Sequence, residues 1–390
     1  MTAKGTTASG ALVLPRLANL RSWVGKKSHF LFGPRQTGKS FLVKQALPEA
    51  RVYDLLDHST YLSLSQRPGR IAEELTDENR LVVIDEIQRL PILLNEVHRL
   101  IENRGIRFLL TGSSARKLRQ GGVNLLGGRA RTRYLHPLTR RELDRHFDLS
   151  RALERGLLPS IYFSDDPAAD LEAYIGTYLQ QEIVAEGATR NVSAFSRFLR
   201  VAALCNASLF NFTKVANDAQ VPRTTVYEYF EILKDTLIVQ EVPAWKHSRK
   251  RKPLVSSKFY FFDPGVVSSL QGRLVKAGTP EFGPVFETYL LHELVCHRDY
   301  ASGEPIQYWR STSGFEVDFI LGDHTAVEVK AKENVSSQDL KSLRALAEEN
   351  KLRNYLCVSL EPRRRKIDEI TVLPYQQFLE QLWEGKYSSG

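Results

Sequence analysis

Residues 33–40 read GPRQTGKS, and the spacing G-x-x-x-x-G-K-S predicts a phosphate-binding loop. The apolar run FLF at 30–32 predicts a strand in front of the loop, and FLV at 41–43 opens a helix behind it. The glycines let backbone N–H groups turn inward, and the positive end of the helix dipole faces the same point. The nucleotide-binding residues predicted here are Gly33, Pro34, Arg35, Gln36, Thr37, Gly38, Lys39, Ser40 and Phe41.

A second apolar run, LVVI at 81–84, predicts a buried parallel strand that ends in two acids. Because the carboxyl ends of parallel strands meet at one edge of a sheet, these acids are expected beside the phosphate loop. Asp85 and the hydroxyl of Ser40 are predicted to hold Mg²⁺. Glu86 is predicted to orient and polarise the attacking water, and Lys39 to contact the β and γ phosphates of ATP.

Small polar residues end the next apolar run, IRFLLTGSS at 106–114. A side chain at this end of a parallel strand is within reach of the γ phosphate or of the attacking water. Three residues qualify as this sensor, and the sequence does not choose among Thr111, Ser113 and Ser114.

Arg129 follows two glycines in a predicted turn and is a candidate third catalytic residue beside Lys39 and Glu86. An arginine delivered to the γ phosphate of a neighbouring subunit would neutralise charge in the transition state. The alternatives are an exposed arginine that aids solubility and an ion pair with Glu142.

The composition is that of a globular protein with several domains. At 390 residues the chain is too long for one typical domain, so two or three are expected. The 54 Lys and Arg against 45 Asp and Glu give a net charge of +9, which favours a polyanionic partner. Three cysteines without metal-ligand spacing are typical of a reducing compartment. The sequence contains no run of about 18 apolar residues, the length that would predict a membrane span. We expect a cytoplasmic protein with no membrane partner.

Three helical patterns and a hairpin predict a winged helix over residues 191–265. Its third helix would read a DNA groove, and the segment KHSRKRK at 246–252 would lie on the wing against phosphates. The alternatives are a solvated basic loop and a protein contact. The DNA-binding residues predicted here are Arg223, Thr224, Thr225, Lys246, Arg249, Lys250, Arg251 and Lys252.

The stretches FEVDFIL and AVEVK within residues 315–330 alternate in polarity and predict a β-hairpin. Period two places Glu328 and Lys330 on one face, and the hairpin can bring Asp318 to the same edge. Glu287, on the preceding helix, is a further acid. Such a cluster suits Mg²⁺-dependent phosphodiester cleavage. The alternatives are outward charges on a structural hairpin, and a degenerate nuclease fold retained for DNA docking.

The runs FGPRQTGKS, VVIDEIQRLP and FLLTGSSARKL, with GGR before a Pro-Leu helix start, resemble a prokaryotic family of AAA+ ATPases over roughly residues 15–150. Members of that family pair this core with a C-terminal domain of uncharacterised function. The resemblance implies ATP and Mg²⁺ as cofactors and a homo-oligomer, with a hexamer as one arrangement. It also implies that Arg129 acts in trans and that nucleotide and metal are carried by Lys39, Ser40, Asp85 and Glu86.

The order helix-Glu, strand-Asp, then Glu-x-Lys resembles the PD-(D/E)XK nuclease superfamily over about residues 283–360, with Val317 in place of the leading proline. We therefore expect an α/β chain: an AAA+ P-loop parallel sheet with a helical lid, then a winged helix, then a small α/β PD-(D/E)XK-like domain. The expected boundaries are a disordered N-terminus at 1–14, the nucleotide-binding core at 15–136, the lid and linker at 137–190, the winged helix at 191–265 and the nuclease-like domain at 280–375.

Three functions fit these features. The first is an oligomeric translocase or remodeller that hydrolyses ATP to act on duplex or branched DNA. The second is an ATP-dependent regulatory switch with protein partners, and the third is a metal-dependent nuclease gated by ATP. The basic segment and the acidic hairpin are the features on which these alternatives differ.

Overall fold

The computed structural model describes residues 13–116, 118, 126–179, 191–273 and 275–388. Of the segment predicted to be disordered, 1–14, residues 1–12 lie outside the described part. No helix in the described part is long and apolar enough to cross a membrane. The chain divides into two compact units, the first made of Met1–Phe147, Leu158–Ser160 and Asp235–Leu237, and the second of Asp148–Leu157, Ile161–Lys234 and Ile238–Gly390.

A five-stranded parallel sheet forms the centre of the first unit. Its strands are β1 (Ser28–Phe32), β2 (Arg51–Asp54), β3 (Leu81–Asp85), β4 (Arg107–Gly112) and β5 (Ala130–Tyr134). They lie in the order β2-β3-β4-β1-β5, and every neighbouring pair is parallel. The three central strands are buried along almost their whole length, as strands covered on both faces are. The predicted parallel α/β sheet is confirmed.

Six helices accompany this sheet in the described residues: α1 (Leu20–Val24), α2 (Lys39–Ala46), α3 (His58–Gln66), α4 (Arg70–Glu74), α5 (Leu93–Arg104) and α6 (Arg140–Leu143). The longest, α5, buries Leu93, Val97 and Leu100 along one stripe, as an amphipathic helix on a sheet does. It ends at Gly105, whose left-handed backbone closes the last turn.

The segment predicted as a lid, 137–190, divides between the two units. Helix α6 stays with the first unit, and the second unit begins at Asp148. The helices that follow are α7 (Leu149–Arg155), α8 (Pro159–Tyr162) and α9 (Pro167–Ala173), with a π-helical turn at Tyr174–Leu179. The backbone N–H of Leu157 donates to Oδ2 of Asp263 at 2.7 Å, which ties the end of α7 into the second unit. Residues 180–190 lie outside the described part.

Three helices and a three-stranded sheet follow, and we call residues 192–261 the three-helix module. Its elements in chain order are α10 (Val192–Leu204), β6 (Ser208–Leu209), α11 (Phe212–Ala219), α12 (Arg223–Asp235), β7 (Val239–Val242) and β8 (Lys258–Phe261). The strands pair antiparallel in the order β6-β8-β7. The ring of Phe230 packs at 4.4 Å between centroids on Phe210 and at the same distance on Phe259, which joins helix and sheet. Helix α13 (Pro264–Gln271) comes next.

A six-stranded sheet, here the C-terminal sheet, completes the second unit. Its elements are α14 (Phe282–His297), β9 (Ile306–Arg310), β10 (Glu316–Leu321), β11 (Thr325–Lys330), α15 (Lys341–Ala347), β12 (Asn354–Ser359), β13 (Arg365–Ile367), β14 (Ile370–Pro374) and α16 (Tyr375–Trp383). The strand order is β13-β14-β12-β11-β10-β9. Strands β10 and β11 pair antiparallel, so the predicted hairpin is confirmed, whereas β11 and β12 are parallel and need α15 as their crossover.

Candidate functional site

The phosphate-binding loop joins β1 to α2 through an unusual backbone. Gly38 has a φ of +91°, a left-handed conformation that glycine adopts without penalty, and α2 begins at the next residue. A side chain at Gly33 would meet the carbonyl oxygen of Leu135 at 2.2 Å, so only glycine fits there. The hydroxyl of Thr37 donates to the carbonyl oxygen of Pro34 at 2.9 Å and closes the turn. The loop thus presents the N-terminus of an eight-residue helix to a phosphate-sized ligand.

Lys39 lies on the inner side of this loop. Its side chain is buried, and its Nζ donates to the carbonyl oxygens of Gly33 at 2.7 Å and Pro34 at 3.0 Å. Ser40 and Phe41 are exposed at the start of α2, and Arg35 and Gln36 are half-buried. The nine predicted nucleotide-binding residues thus form the loop and the first turn of α2.

The hydroxyl of Ser40 reaches across the sheet edge to β3. Its Oγ donates to Oδ2 of Asp85 at 2.6 Å, and the hydroxyl of Thr111 donates to Oδ1 of the same carboxylate. The backbone N–H of Glu86 in turn donates to Oγ1 of Thr111 at 3.3 Å. These bonds join the ends of β3 and β4 to the loop, so the two residues predicted to hold Mg²⁺ are neighbours and Thr111 positions one of them.

Glu86 directly follows β3 and has a left-handed conformation with a φ of +60°, which costs a non-glycine residue about 1 kcal/mol or more. Its carboxylate accepts a hydrogen bond from Nε2 of Gln88, which also donates to Oγ of Ser113 at 3.1 Å. Ser114 is different, because its Oγ accepts only from the backbone N–H of Arg116, at 3.1 Å, among the bonds described. Gln88 is a buried positioning residue that the sequence analysis missed, since nothing but its closeness to Glu86 marked it.

These residues fit Mg²⁺ and a nucleotide. Hydroxyl and carboxylate oxygens are ligands that Mg²⁺ prefers, and Ser40 and Asp85 supply one of each at 2.6 Å. A magnesium bound with a phosphate takes few protein ligands and completes its shell with phosphate and water oxygens. Lys39 would be the cation beside the phosphates, and α2 adds its N-terminal backbone groups.

Arg16 is a second residue that the sequence analysis missed. Its guanidinium donates to the carbonyl oxygens of Thr37 at 2.7 Å and His136 at 2.6 Å. Its Nε also pairs with Oε1 of Glu142 at 3.0 Å, and both side chains are almost fully buried. Glu142 closes a capping box with Thr139 at the start of α6. One arginine therefore braces the phosphate loop, the chain after β5 and α6.

Arg129 lies at the N-terminal ends of the parallel strands, whereas the phosphate loop of its own chain lies at their C-terminal ends. Strand β5 pairs with β1 so that Ala130 faces Ser28, the first residue of β1, whereas the loop follows Phe32, the last. The guanidinium pairs with Glu102, and not with Glu142, which is the partner of Arg16. At about 3.3 Å per residue the strand separates the two ends by roughly 13 Å, so Arg129 does not serve its own nucleotide site.

All four nuclease-like residues lie close together in the second unit. Asp318 on β10 accepts a hydrogen bond at 2.8 Å from the backbone N–H of Val329 on β11. Glu328 and Lys330 lie on the same face of β11, and Oε1 of Glu328 accepts from Nζ of Lys330 at 2.5 Å. Burial raises the pKa of Glu328 well above its ordinary value, and the charge of Asp318 adds to the shift. Glu328 and Lys330 thus share one face of β11, as the alternation along the strand predicts.

Lys258 of the three-helix module enters this group from β8. Its side chain is 2% exposed, and its Nζ lies 3.5 Å from Oε1 of Glu287 and 3.8 Å from Oδ1 of Asp318. It also forms an ion pair with Glu316. We call Glu287, Glu316, Asp318 and Glu328 the acid cluster. Although burial opposes the shift, the carboxylates raise the pKa of Lys258.

Glu287 is a second carboxyl of the acid cluster whose pKa is raised. The hydroxyl of Tyr260 donates to its Oε1 at 2.6 Å, and its side chain is 16% exposed. Burial raises the pKa of Glu287 to about 7; the charge of Asp318 adds to the shift, and Lys258 opposes it.

Part of the basic segment 246–252 is held by hydrogen bonds and an ion pair to residues near α15. The backbone N–H groups of Arg249, Lys250 and Arg251 all donate to the carboxylate of Glu349, at 2.8 to 3.1 Å. The side chain of Arg251 pairs with Glu348 at 2.6 Å, and Nζ of Lys250 donates to a backbone carbonyl at 2.5 Å. The buried carboxylate of Glu349 thus holds the segment against the C-terminal end of α15.

Three cations of the segment are exposed, and within the described part of the chain their side chains form neither an ion pair nor a hydrogen bond: Lys246, Arg249 and Lys252. On α12, Arg223 and Thr224 are exposed at the N-terminus and Thr225 is half-buried. Further along the exposed face Glu228 and Glu231 add negative charge. A phosphate backbone would therefore meet only the first turn of this helix.

Comparison with protein families divides the chain into three matches. Residues 25–144 match the AAA domain. Residues 146–276 match a domain of unknown function, DUF8612, and residues 282–378 match another, DUF4143. The first unit is therefore an AAA-type ATPase domain, as the resemblance implied, and it is followed by two further domains.

Comparison with solved structures gives distant likenesses. The Pif1 helicase from Candida albicans is 19% identical over 41% of this chain and 47% of its own, with a TM-score of 0.25. A Signal Transduction ATPase with Numerous Domains protein with a tetratricopeptide repeat sensor, from Pyrococcus horikoshii, is 14% identical over 74% of this chain and 47% of its own, with a TM-score of 0.24. The chain spans about half the length of either structure. No curated protein sequence matches it.

Proposed function

We propose that this protein hydrolyses ATP with Mg²⁺ as a homo-oligomer and uses the energy to move or remodel duplex or branched DNA. The observation that carries hydrolysis is the chain of hydrogen bonds from Ser40 through Asp85 to Thr111, beside Glu86 at the end of β3. An AAA domain supports the same activity.

Each residue has a separate task in this proposal. When bound, Mg²⁺ neutralises phosphate charge and fixes the nucleotide. Lys39 and the first turn of α2 hold the phosphates, while Ser40 and Asp85 are the metal ligands. Glu86 orients the attacking water, and Gln88 keeps its carboxylate in place.

Self-association is supported by the position of Arg129. Because it lies far from the loop of its own chain, a nucleotide that it contacts would have to be bound by another copy. Exposed apolar side chains in the first unit, Val52, Leu56 and Ile92 among them, also suit contact with a second subunit.

DNA as the partner is supported by two groups of residues. The three-helix module has the element order helix, strand, helix, helix, strand, strand, which is that of a winged helix. Arg223 lies over the ring of Tyr227, which stacks on Phe212 at 3.9 Å between centroids, so α12 begins with an exposed cationic and aromatic surface. The three exposed cations of the basic segment whose side chains have no partner in the described residues, Lys246, Arg249 and Lys252, would supply charge for phosphates.

A regulatory switch is the second candidate, and the acidic half of α12 favours it. Glu228 and Glu231 would repel a phosphate backbone but suit a basic protein partner. The proposed experiment therefore measures both turnover and DNA binding.

The first measurement is ATP hydrolysis by the wild type, Lys39→Ala and Glu86→Gln, without DNA and with single-stranded, duplex and four-way branched DNA. We expect turnover in the wild type, stimulation by DNA of several-fold, and loss in both variants. Equal turnover in wild type and Glu86→Gln would refute hydrolysis at this site. Turnover that ignores every DNA would favour the switch.

DNA binding is tested through its salt dependence. Lys246→Gln, Arg249→Gln and Lys252→Gln together should lower the slope of log affinity against log salt by up to about 3, since each phosphate contact contributes about 0.9. The matched control makes the same change of charge at three exposed cations near β13: Arg363→Gln, Arg364→Gln and Lys366→Gln. Equal slopes in the two triple variants would refute this DNA surface.

A further inference from the structure

The acid cluster and the ammonium of Lys258 together decide what the C-terminal sheet can bind. A PD-(D/E)XK nuclease would hold a divalent cation at Glu287, Asp318 and Glu328. Here the cation nearest those carboxylates is a side chain of the protein. Nζ of Lys258 lies within 3.8 Å of Glu287, Glu316 and Asp318 at once.

Most oxygens of the cluster already have a protein partner. Oδ2 of Asp318 accepts from a backbone N–H at 2.8 Å, and its Oδ1 faces Lys258 at 3.8 Å. Oε2 of Glu316 pairs with Arg310 at 3.1 Å, and Oε1 of Glu328 with Lys330 at 2.5 Å. Two other oxygens receive no hydrogen bond from the described residues: Oε2 of Glu287, whose contacts are made through Oε1, and the buried Oε2 of Glu328. Two such oxygens do not make the near-octahedral shell that Mg²⁺ requires.

The formal charge of the acid cluster and its cations also argues against a divalent metal. Four carboxylates face three cations, Lys258, Lys330 and Arg310, so the group has a formal charge of −1 before any metal is added. No set of three or more His, Cys, Asp or Glu side chains in the described residues is arranged to hold a metal ion. The residues present therefore do not fit the divalent cation that the fold resemblance implies.

We propose that Lys258 is the resident cation of the acid cluster, so that this domain binds no divalent metal and cuts no DNA, and that the ion pairs instead fasten the three-helix module to the C-terminal sheet. Tyr260 strengthens the same junction. It lies on β8 two residues after Lys258, and its hydroxyl donates to Oε1 of Glu287 at 2.6 Å. The ring of Tyr308 on β9 covers the ammonium, with its centroid 5.5 Å from Nζ. Strand β8 is thus held by helix α14 and strands β9 and β10.

The proposal predicts that removing the ammonium creates a metal site. Mn²⁺ binding is measured on the full chain without nucleotide, by electron paramagnetic resonance and by the shift in melting temperature. Every protein carries Asp85→Asn, which removes the carboxylate of the nucleotide site. The variants are Lys258→Met, which keeps the length of the side chain, and Lys258→Arg, which keeps its charge. Asp318→Asn is added to Lys258→Met to locate the site.

We expect no Mn²⁺ at the acid cluster in the parent protein or in Lys258→Arg. Lys258→Met should bind Mn²⁺ tighter by about tenfold or more, and Asp318→Asn should abolish the gain. A folded Lys258→Met without this gain would overturn the proposal.

A comparison of the parent with Asp318→Asn alone tests the same idea even where Lys258→Met fails to fold. Equal Mn²⁺ binding and no cleavage of duplex or branched DNA in either protein support the proposal. Mn²⁺ binding or DNA cleavage that the parent has and Asp318→Asn lacks would overturn it. This test is independent of ATP turnover, so its outcome does not decide the function proposed above.

Discussion

Arg16 pairs with Glu142 at 3.0 Å while donating to the carbonyl oxygen of Thr37 at 2.7 Å, so one buried side chain joins the phosphate loop to α6. Replacing Arg16 by Ala leaves a buried carboxylate without its cation, and we expect a loss of about 3–5 kcal/mol in the free energy of unfolding. Affinity for ATP should fall as well, because the loop loses its brace.

The measurements for Arg16 are urea unfolding and binding of a fluorescent ATP analogue. The stability and the ATP affinity of Arg16→Lys should be intermediate, since an ammonium keeps the charge but cannot reproduce the hydrogen bonds of the guanidinium to its three partners. Arg21→Ala is the matched control, because Arg21 forms an exposed ion pair with Glu49 at 3.2 Å. Similar losses in Arg16→Ala and Arg21→Ala would contradict the bracing role.

Variants of the three sensor candidates should differ in ATP turnover according to the residue that each hydroxyl contacts. Thr111→Val removes the hydroxyl that donates to Asp85 and should lower Mg²⁺-dependent turnover by about 10–100-fold. Ser113→Ala removes one acceptor of Gln88 and should cost less, whereas Ser114→Ala should stay near wild type. Mg²⁺ titrations of ATP hydrolysis give the order, and a Ser114 variant weaker than the Thr111 variant would reverse this assignment.

Mixing inactive subunits tests whether Arg129 acts on a neighbour. Arg129→Ala and Lys39→Ala should each lack turnover alone. Mixed one to one, they should recover up to about a quarter of wild-type turnover, because a random junction joins an intact loop to an intact arginine in one case of four. Lys39→Ala mixed with Lys39→Ala, Arg129→Ala is the control. No recovery in a mixture shown to exchange subunits would contradict the trans role.

Glu287 should make stability depend on pH. Burial raises its pKa to about 7 from 4.5, so the folded chain binds this proton more tightly than the unfolded chain. Its contribution to stability is therefore lost as pH rises from about 4.5 to 7, and at full strength the loss is about 2–3 kcal/mol. The groups that set this balance are Lys258, Tyr260, Glu316 and Asp318.

The measurement is urea unfolding of wild type and Glu287→Gln at several pH values. The difference between the two proteins should shift in favour of the variant as pH rises through that window. Glu384→Gln, on the surface, controls for the loss of one carboxyl group. A constant difference between wild type and Glu287→Gln from pH 4.5 to 7.5 would show that this carboxyl does not titrate as proposed.

The sequence by itself determined the local parts of the nucleotide site. Gly33, Gly38 and Lys39 act within one turn of chain, so their spacing alone predicts their geometry. Parallel strands bring Asp85 and Thr111 to the same edge, which is why both could be named before the sheet order was known. Period two likewise placed Glu328 and Lys330 on one face of a strand, because side-chain alternation needs no tertiary contact.

Tertiary structure alone decided which distant charges meet. Arg16 reaches Glu142 across 126 positions, and Lys258 reaches Asp318 from another module, and no local period encodes either pairing. The basic segment looked like a free wing until Glu349, about 100 residues away, proved to collect its backbone N–H groups. A buried carboxylate must find donors wherever the fold supplies them, so such partners follow from packing and not from spacing.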